Sequence, residues 1–240
     1  YETGQVVYEG YTETTKNAIG SFEIANFSDF KREGRYLLRV GTVETLPFYI
    51  NSNIWEDSAW RVLNFLFVER CGYPVPEKHG VCHADLNGEH KGKLFTVNGG
   101  WHDAADMSQQ TLQTGEIVFS IFGIANRAKK KGYVDLYNRL MEEAQWGLDF
   151  ILRTRFGDGY RVQSWGTNLW TDGFIGTIDD VGPRQVRIHN RAFENFLFAG
   201  IEAYATMSIE KDIMLKGYLR KVAEEDFRFA MERIKEVGYA

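Results

Sequence analysis

The sequence lacks the features that mark nucleic-acid-binding and membrane-embedded proteins. Its formal net charge is −5, so it has no excess of basic residues that would attract nucleic acid or an anionic membrane. No apolar run approaches the roughly 18 residues that a transmembrane helix needs. We therefore expect a globular protein that neither binds nucleic acid nor inserts into a membrane.

Signals for export and for repeated structure are also missing. The chain starts at Tyr1 rather than Met and shows no signal peptide, so we expect the natural N-terminus to lie outside this sequence. It contains no short internal repeat and no low-complexity segment. Cysteine is scarce, with two residues in 240, whereas 15% of the residues are aromatic. That aromatic content is typical of a stacking surface or of a very aromatic core.

The composition changes near residue 52, which predicts two domains, 1–51 and 52–240. GRYLLRVG alternates between two faces and predicts a strand, and three other short runs before this point also predict strands: QVVYEG, SFEIANF and LPFYI. Four strands are few for a β-sandwich, which has about seven. The first domain therefore looks like the end of a larger β domain.

Helical periodicity after residue 52 predicts five helices. They lie within 53–72, 110–132, 134–157, 190–207 and 208–238. Gly72 is predicted to be the C-terminal cap of the first helix. Long loops remain at 72–106 and 157–189, and loops of that length in a compact domain are more often functional than idle.

Cysteine and histidine cluster around the first long loop, at Cys71, Cys82, His83 and His102. Two sulfurs and two imidazoles satisfy tetrahedral Zn²⁺ with no open position, so a zinc ion there would be structural. A Cys71–Cys82 disulfide explains the two cysteines as well, because it is natural in an exported protein. The residues alone leave both interpretations open.

The stretch NGGWHDAADMSQQ, residues 98–110, carries two aspartates three positions apart. One interpretation makes Asp106 a helix N-cap and Asp103 a turn residue. The other has the two carboxylates hold one water, because a pair of negative charges raises proton affinity and suits a general base. Gly99 and Gly100 are then expected to let a ligand approach the backbone. An inverting sugar hydrolase needs such a base.

Three motifs in register resemble glycoside hydrolase family 9, the family of many endoglucanases. NGGWHDAAD resembles the family's Gly-Gly-Trp/Tyr-His/Tyr-Asp-Ala-Gly-Asp signature, and FLFVERCGYPVPEKHGVCHAD resembles its "RCG…CH" segment. IANFSDFKREGRYLLRVGTVETLPFYI is similar to the end of the immunoglobulin-like module that precedes the catalytic domain in one subgroup. Together the matches extend over roughly residues 5 to 132.

This resemblance implies a fold, a reaction and roles for residues. The expected fold is mainly α: residues 52–240 would form the N-terminal part of an (α/α)6 barrel, preceded in 1–51 by the end of an immunoglobulin-like β-sandwich. Asp106 would be the general base of an inverting glycosidase, and Asp103 would orient the attacking water. The four cysteines and histidines fall at the subgroup's structural zinc site, which favours zinc over a disulfide. The substrate would be a polysaccharide or oligosaccharide, and the location secreted, periplasmic or cell-surface.

The sequence departs from the family at several positions. Ala105 replaces a glycine between the aspartates, and Met107 to Gln110 stand where cellulases commonly carry an aromatic residue and a lysine. This favours a β-glucan or related glycan other than cellulose. The family's general acid is a Glu near the end of the barrel, which we expect beyond Ala240. A non-catalytic glycan-binding relative with the same fold is the alternative function.

Two weaker signals lie in the second long loop. Trp165 and Trp170 are interpreted either as sugar-stacking residues or as packing against the mouth of the barrel. Asp179 and Asp180 predict a solvated turn, with a cation site such as Ca²⁺ as the alternative.

Overall fold

The computed structural model describes residues 1–83, 87–96, 98–103, 108–167 and 184–238. The chain divides into two compact units, Tyr1–Ala59 and Trp60–Ala240. Asp106, Trp170, Asp179 and Asp180 lie outside the described residues.

The first unit consists of short strands paired two by two. The strands are β1 Thr12–Asn17, β2 Gly20–Ala25, β3 Gly34–Tyr36, β4 Arg39–Val40, β5 Val43–Glu44 and β6 Phe48–Ile50. They form three antiparallel pairs, β1–β2, β3–β6 and β4–β5. Aromatic contacts add to the packing, such as Phe27 against Phe48 and Phe30 against Tyr36. Because these pairs do not assemble into two facing sheets, the immunoglobulin-like module stays a prediction.

One strand prediction in this unit is wrong. Residues 5–10 are rich in residues typical of strands, yet they form no strand and are exposed along their whole length. Residue preferences alone supply no partner strand, and a strand needs hydrogen bonds to a neighbouring strand. The first strands of the chain are instead β1 and β2, which form a hairpin with Asn17 opposite Gly20.

The second unit is mainly helical, and all five predicted helices are present. They are α1 Glu56–Val68, α2 Thr111–Lys131, α3 Val134–Arg153, α4 Ala192–Ser208 and α5 Ile213–Val237. Gly132 ends α2 in the left-handed conformation, with φ +78°, so α3 can begin two residues later. Among the described residues, no helix is both long and apolar enough to cross a membrane.

Helix α2 packs against α3, and helix α4 packs against α5. Helix α2 also contacts α4. Gly115 of α2 sits so close to Phe198 and Ile201 of α4 that a Cβ atom there would lie under 3 Å from both. Helix α4 is apolar on nearly every side, which predicts deep burial. Many of its residues are buried, and it packs against α5 and α2, but Phe193 and Met207 are exposed.

Both long loops contain strands that the sequence pattern did not predict. The first loop holds the hairpin β7 Asn87–His90 and β8 Lys93–Thr96. The second contributes β10 Arg161–Thr167 and β11 Arg184–His189, which join β9 Gln109–Gln110 in the antiparallel order β11–β10–β9. This sheet places β10 beside the end of the 98–110 segment.

A buried ion network fixes β10 to the helices. Arg161 of β10 and Arg155 both reach Asp226 of α5, and Arg161 also lies 3.7 Å from Glu202 of α4. Glu202 is completely buried, and burial together with the neighbouring Asp226 raises its pKa to about 8. Charges in an interior persist when they are paired in this way.

Candidate metal centre and carboxylate site

A short antiparallel pairing brings the two ends of the first long loop together. The backbone N–H of Cys71 donates to the carbonyl of Gly100 at 3.0 Å, and that of His102 donates to the carbonyl of Glu69 at 2.9 Å. The segment that follows α1 therefore lies alongside the signature segment. This pairing places Cys71 and His102 next to each other although 31 positions separate them in the sequence.

The four predicted ligands form one buried cluster, called here the Cys/His cluster: Cys71, Cys82, His83 and His102. Their ligand atoms all lie within 4.8 Å of one another. Cys71 Sγ is 3.6 Å from His83 Nδ1, and Cys82 Sγ is 3.5 Å from His102 Nε2. Both cysteines are free thiols.

These separations fit a tetrahedral metal site. With a zinc–sulfur bond of about 2.3 Å and a zinc–nitrogen bond of about 2.0–2.1 Å, the tetrahedral angle puts sulfur and nitrogen about 3.6 Å apart. The two sulfur–nitrogen distances in the cluster agree with that edge length. The cluster is therefore able to bind a metal ion, and all four protein ligands together close the coordination sphere.

The thiols are electrostatically unequal. Hydrogen bonding from Cys71 and from the two imidazoles lowers the pKa of Cys82 to about 2, against the effect of burial. The backbone N–H of Gly72 also donates to Cys82 Sγ at 3.1 Å. Burial, reinforced by its neighbour Cys82, raises the pKa of Cys71 well above its usual value. A bound cation would favour ionisation of both thiols.

Local backbone conformation shapes the cluster. Gly72 adopts φ +76°, and a Cβ atom there would lie 2.6 Å from Asn98 Nδ2, so the turn after Cys71 requires glycine. His83 also has a positive φ, +53°, which is uncommon for a residue other than glycine. Such conformations cluster at ligand sites, where surrounding structure holds them in place.

Trp165 lies in the wall of this cluster, which corrects its interpretation as a sugar-stacking residue. Its side chain is only 2% exposed, so no pyranose ring can stack on it. The indole packs on His83 with ring centroids 4.4 Å apart, and its N–H donates to Gln109 Oε1 at 2.8 Å. The packing alternative is the one that the structure favours, in strand β10 rather than in a loop.

Gln109 and the two glycines of the signature also serve packing. Gln109 is 1% exposed and donates through Nε2 to the carbonyl of Gly99. Because its side chain is enclosed, its identity gives no basis for inferring which glycan binds. Cβ atoms at Gly99 and Gly100 would clash with Arg153 and with Gln109. The glycines therefore admit side chains of this protein, whereas the sequence suggested close approach by a ligand.

Asp103 is exposed to solvent, in contrast to the buried Gln109. It directly follows the buried His102, yet its own side chain is exposed. Ser108 Oγ donates to Asp103 Oδ1 at 2.7 Å, and the Asp103 N–H donates to the Ser108 carbonyl at 3.0 Å. This double contact closes the loop 103–108 and orients one carboxylate toward solvent, beside a rigid centre.

Comparisons with known proteins identify the architecture. Among curated proteins, endoglucanase D of Acetivibrio thermocellus is 28% identical over a region that covers 66% of this chain and 29% of that protein. Among solved structures, the glycoside hydrolase family 9 endoglucanase J30 superimposes with a TM-score of 0.69 at 22% identity, covering 98% of this chain and 48% of that one. The chain has the family 9 endoglucanase fold.

A second solved structure has a similar fold. It is a Zn-binding triple mutant of the same endoglucanase J30, with a TM-score of 0.67 and 24% identity over 98% of this chain and 48% of that one. The resemblance predicted from the three motifs is thus confirmed, as is the mainly helical class. No protein-family model matches the chain, and it spans less than half the length of these relatives.

Proposed function

We propose that this chain is the N-terminal part of an inverting glycoside hydrolase that cleaves a β-linked glucan or a related polysaccharide. The observation that carries the proposal is the placement of Asp103. Its carboxylate is exposed and held by Ser108, directly beside a buried cluster that is able to bind a metal, within a family 9 fold. Endoglucanase D, the similar curated protein, is named for cleavage of glucans.

Asp106 is the proposed general base, and Asp103 is proposed to orient the attacking water. An inverting enzyme places its base and its acid about 6.5–9.5 Å apart, so that a water fits between the base and the sugar. No Glu of this chain matches the family's acid motif. The acid is therefore proposed to come from the part of the barrel beyond Ala240.

The proposed metal is zinc, held by all four residues of the Cys/His cluster. A zinc ion supplies a cross-link there and leaves no position for a substrate water, because its four ligands come from the protein. The residues themselves tie the end of α1, the turn at 82–83 and the signature segment into one unit. His102 then fixes the starting point of the loop that carries Asp103.

Four further assignments extend the proposal. Residues 1–51 are proposed to be the end of an immunoglobulin-like module, and the protein is proposed to be exported, to the cell surface, the periplasm or the medium. Trp170 remains the proposed sugar-stacking residue. Asp179 and Asp180 are proposed to belong to a solvated turn, with a Ca²⁺ site as the alternative.

The test is a glycan panel offered to the full-length protein, with new reducing ends and binding measured in parallel. Mixed-linkage and β-1,4-linked glucans are expected to yield reducing ends, with inversion at the anomeric carbon detected by NMR. Binding without new reducing ends for any glycan would favour the non-catalytic relative instead.

A further inference from the structure

Glu143 is a carboxylate of α3 that the Cys/His cluster does not include and the proposed reaction does not use. Its side chain is 0% exposed, and buried carboxylates are retained where donors surround them. Three donors do so: Trp101 Nε1 at 2.7 Å, and Arg70 through Nε at 3.1 Å and Nη2 at 2.8 Å. Arg139 Nη1 adds an ion pair at 2.9 Å.

The two residues that Glu143 binds belong to the two paired segments that carry the cluster. Arg70 immediately precedes Cys71, Trp101 immediately precedes His102, and the two form an antiparallel bridge with each other. Side chains alternate between the faces of an extended segment. Arg70 and Trp101 therefore point toward α3, while Cys71 and His102 point to the other face, into the cluster.

Further contacts tie the same pairing to α3. The indole N–H of Trp146 donates to the carbonyl of Gly100 at 2.7 Å, and the Arg70 guanidinium stacks 4.8 Å from the Trp146 ring. The outer edge of the Trp101 indole rests on Gly147, where a Cβ atom would lie 2.3 Å from it. On the face of the pairing that contacts α3, the carboxylate of Glu143 bonds to both segments at once through the side chains of Arg70 and Trp101.

We propose that Glu143 is a positioning residue for the Cys/His cluster. Its carboxylate holds Arg70 against Trp101, and it thereby sets the separation of Cys71 and His102 before any metal binds. Only the metal-binding part of this inference rests on the proposed function, since the coupling between the two segments exists in the metal-free chain.

The adjacent residue Glu142 supplies a matched control. It also contacts Arg70 Nη2, at 3.1 Å, but its side chain is 59% exposed, and the Trp101 indole N–H donates to Glu143 instead. Glu143→Gln and Glu142→Gln each remove one negative charge, at adjacent positions of α3. Water screens the loss at 142, whereas at 143 the change leaves the Arg70 charge buried with a weaker partner.

The experiment measures residue-resolved amide hydrogen exchange at Cys71 and His102 in the metal-free full-length protein, and zinc affinity by competition with a chromophoric chelator. Glu143→Gln is expected to speed exchange at both amides at least tenfold and to weaken zinc binding about 10- to 100-fold, the usual effect of losing an outer partner of a metal site. Glu142→Gln is expected to stay within about twofold in both measurements.

The outcomes separate this inference from the proposed metal site. Wild-type exchange at both amides in a folded Glu143→Gln protein would overturn the positioning role. Absence of zinc binding by the wild type would overturn the metal site, while the exchange measurement still decides the role of Glu143. If Glu143→Gln does not fold, Trp101→Phe decides by the same readouts, because it removes the N–H donor to Glu143 and keeps a smaller aromatic ring at that position.

Discussion

The indole of Trp165 and the imidazole of His83 pack together with their ring centroids 4.4 Å apart. This contact joins strand β10 to the Cys/His cluster and shields one side of the cluster from water. A metal site enclosed by apolar surface has its solvent access controlled by that surface. Trp165, which the sequence suggested as a sugar-stacking residue, therefore packs against the Cys/His cluster.

The first prediction concerns this wall. Trp165→Ala is expected to cost about 3–5 kcal/mol of unfolding free energy, because it leaves a large cavity and removes the hydrogen bond to Gln109. Chemical denaturation monitored by circular dichroism measures the effect. Trp55, an exposed indole, is the control, and Trp55→Ala is expected to change stability by no more than about 0.5 kcal/mol. Equal stability of both variants would contradict the packing role.

The second prediction concerns the metal. The purified full-length protein is expected to bind one zinc ion at the Cys/His cluster, and His83→Ala is expected to lose it, because three ligands hold zinc less well than four. Metal analysis and titration of thiols after chelation measure this. His90→Ala is the control, since His90 pairs with Asp158 outside the cluster. A zinc-free wild type with a Cys71–Cys82 disulfide in mass spectrometry would reject the zinc site.

The third prediction concerns the carboxylates. Asp106→Asn in the full-length enzyme is expected to lower turnover by at least about 10²–10⁴-fold, the usual contribution of a general base, while glycan binding is spared. Asp103→Asn is expected to have a smaller effect, because Asp103 orients the water. Ser108→Ala is expected to have a smaller effect still, since it removes one hydrogen bond to Asp103. Near wild-type turnover of Asp106→Asn would reject its role as the general base.

The fourth prediction concerns pH. The pKa of Glu202 is raised to about 8 in the folded protein, from an ordinary value of 4.5. Between these values the unfolded chain has released the proton and the folded chain retains it, so stability falls as pH rises through this window. The slope is at most about 1.4 kcal/mol per pH unit for one proton.

Thermal unfolding of the wild type and of Glu202→Gln between about pH 5 and pH 8 tests this. Glu202→Gln is expected to flatten the pH dependence, because the amide does not titrate. Glu225→Gln, a more exposed carboxylate that also contacts Arg155, is expected to keep the wild-type profile. Identical profiles for the wild type and Glu202→Gln would show that Glu202 does not retain its proton.

The fifth prediction concerns the 240-residue chain by itself, which is expected not to hydrolyse glycans. Inversion needs an acid on one face of the sugar and a base on the other. We propose only the base candidates Asp103 and Asp106 within this chain. A sensitive reducing-end assay on the isolated chain measures this. Turnover that survives removal of contaminating glycosidases would place the acid within these residues.

The helices and the Cys/His cluster could be predicted from the sequence, because each leaves a local or compositional signal. The apolar period of α2 and α3, and the glycine after α2, predict their extent to within a few residues. The four cysteines and histidines were brought together as the resemblance implied. Strand β10 escaped prediction because its stability comes from partners far along the chain, at 109–110 and 184–189.

Burial of single polar residues was harder to predict. Glu142 and Glu143 are neighbours with the same chemistry, yet one is exposed and the other is enclosed. The missed signal is positional: Glu143 follows Leu140 by three and precedes Gly147 by four, on the buried stripe of α3. A charged residue on such a stripe points to a buried partner, which only the fold identifies as Arg70 and Trp101.

The contact between Trp101 and Gly147 has a consequence for how this protein can change. A helical glycine is about 1 kcal/mol less favourable than alanine, yet even one methyl group at 147 would collide with the indole. The two positions, 46 residues apart, are therefore mutually dependent in size. An alanine at 147 would need a smaller ring at 101 and a shift of Val118, whose Cγ2 would lie 2.6 Å from the added Cβ atom. The size of the aromatic residue in the signature is therefore constrained by helix α3.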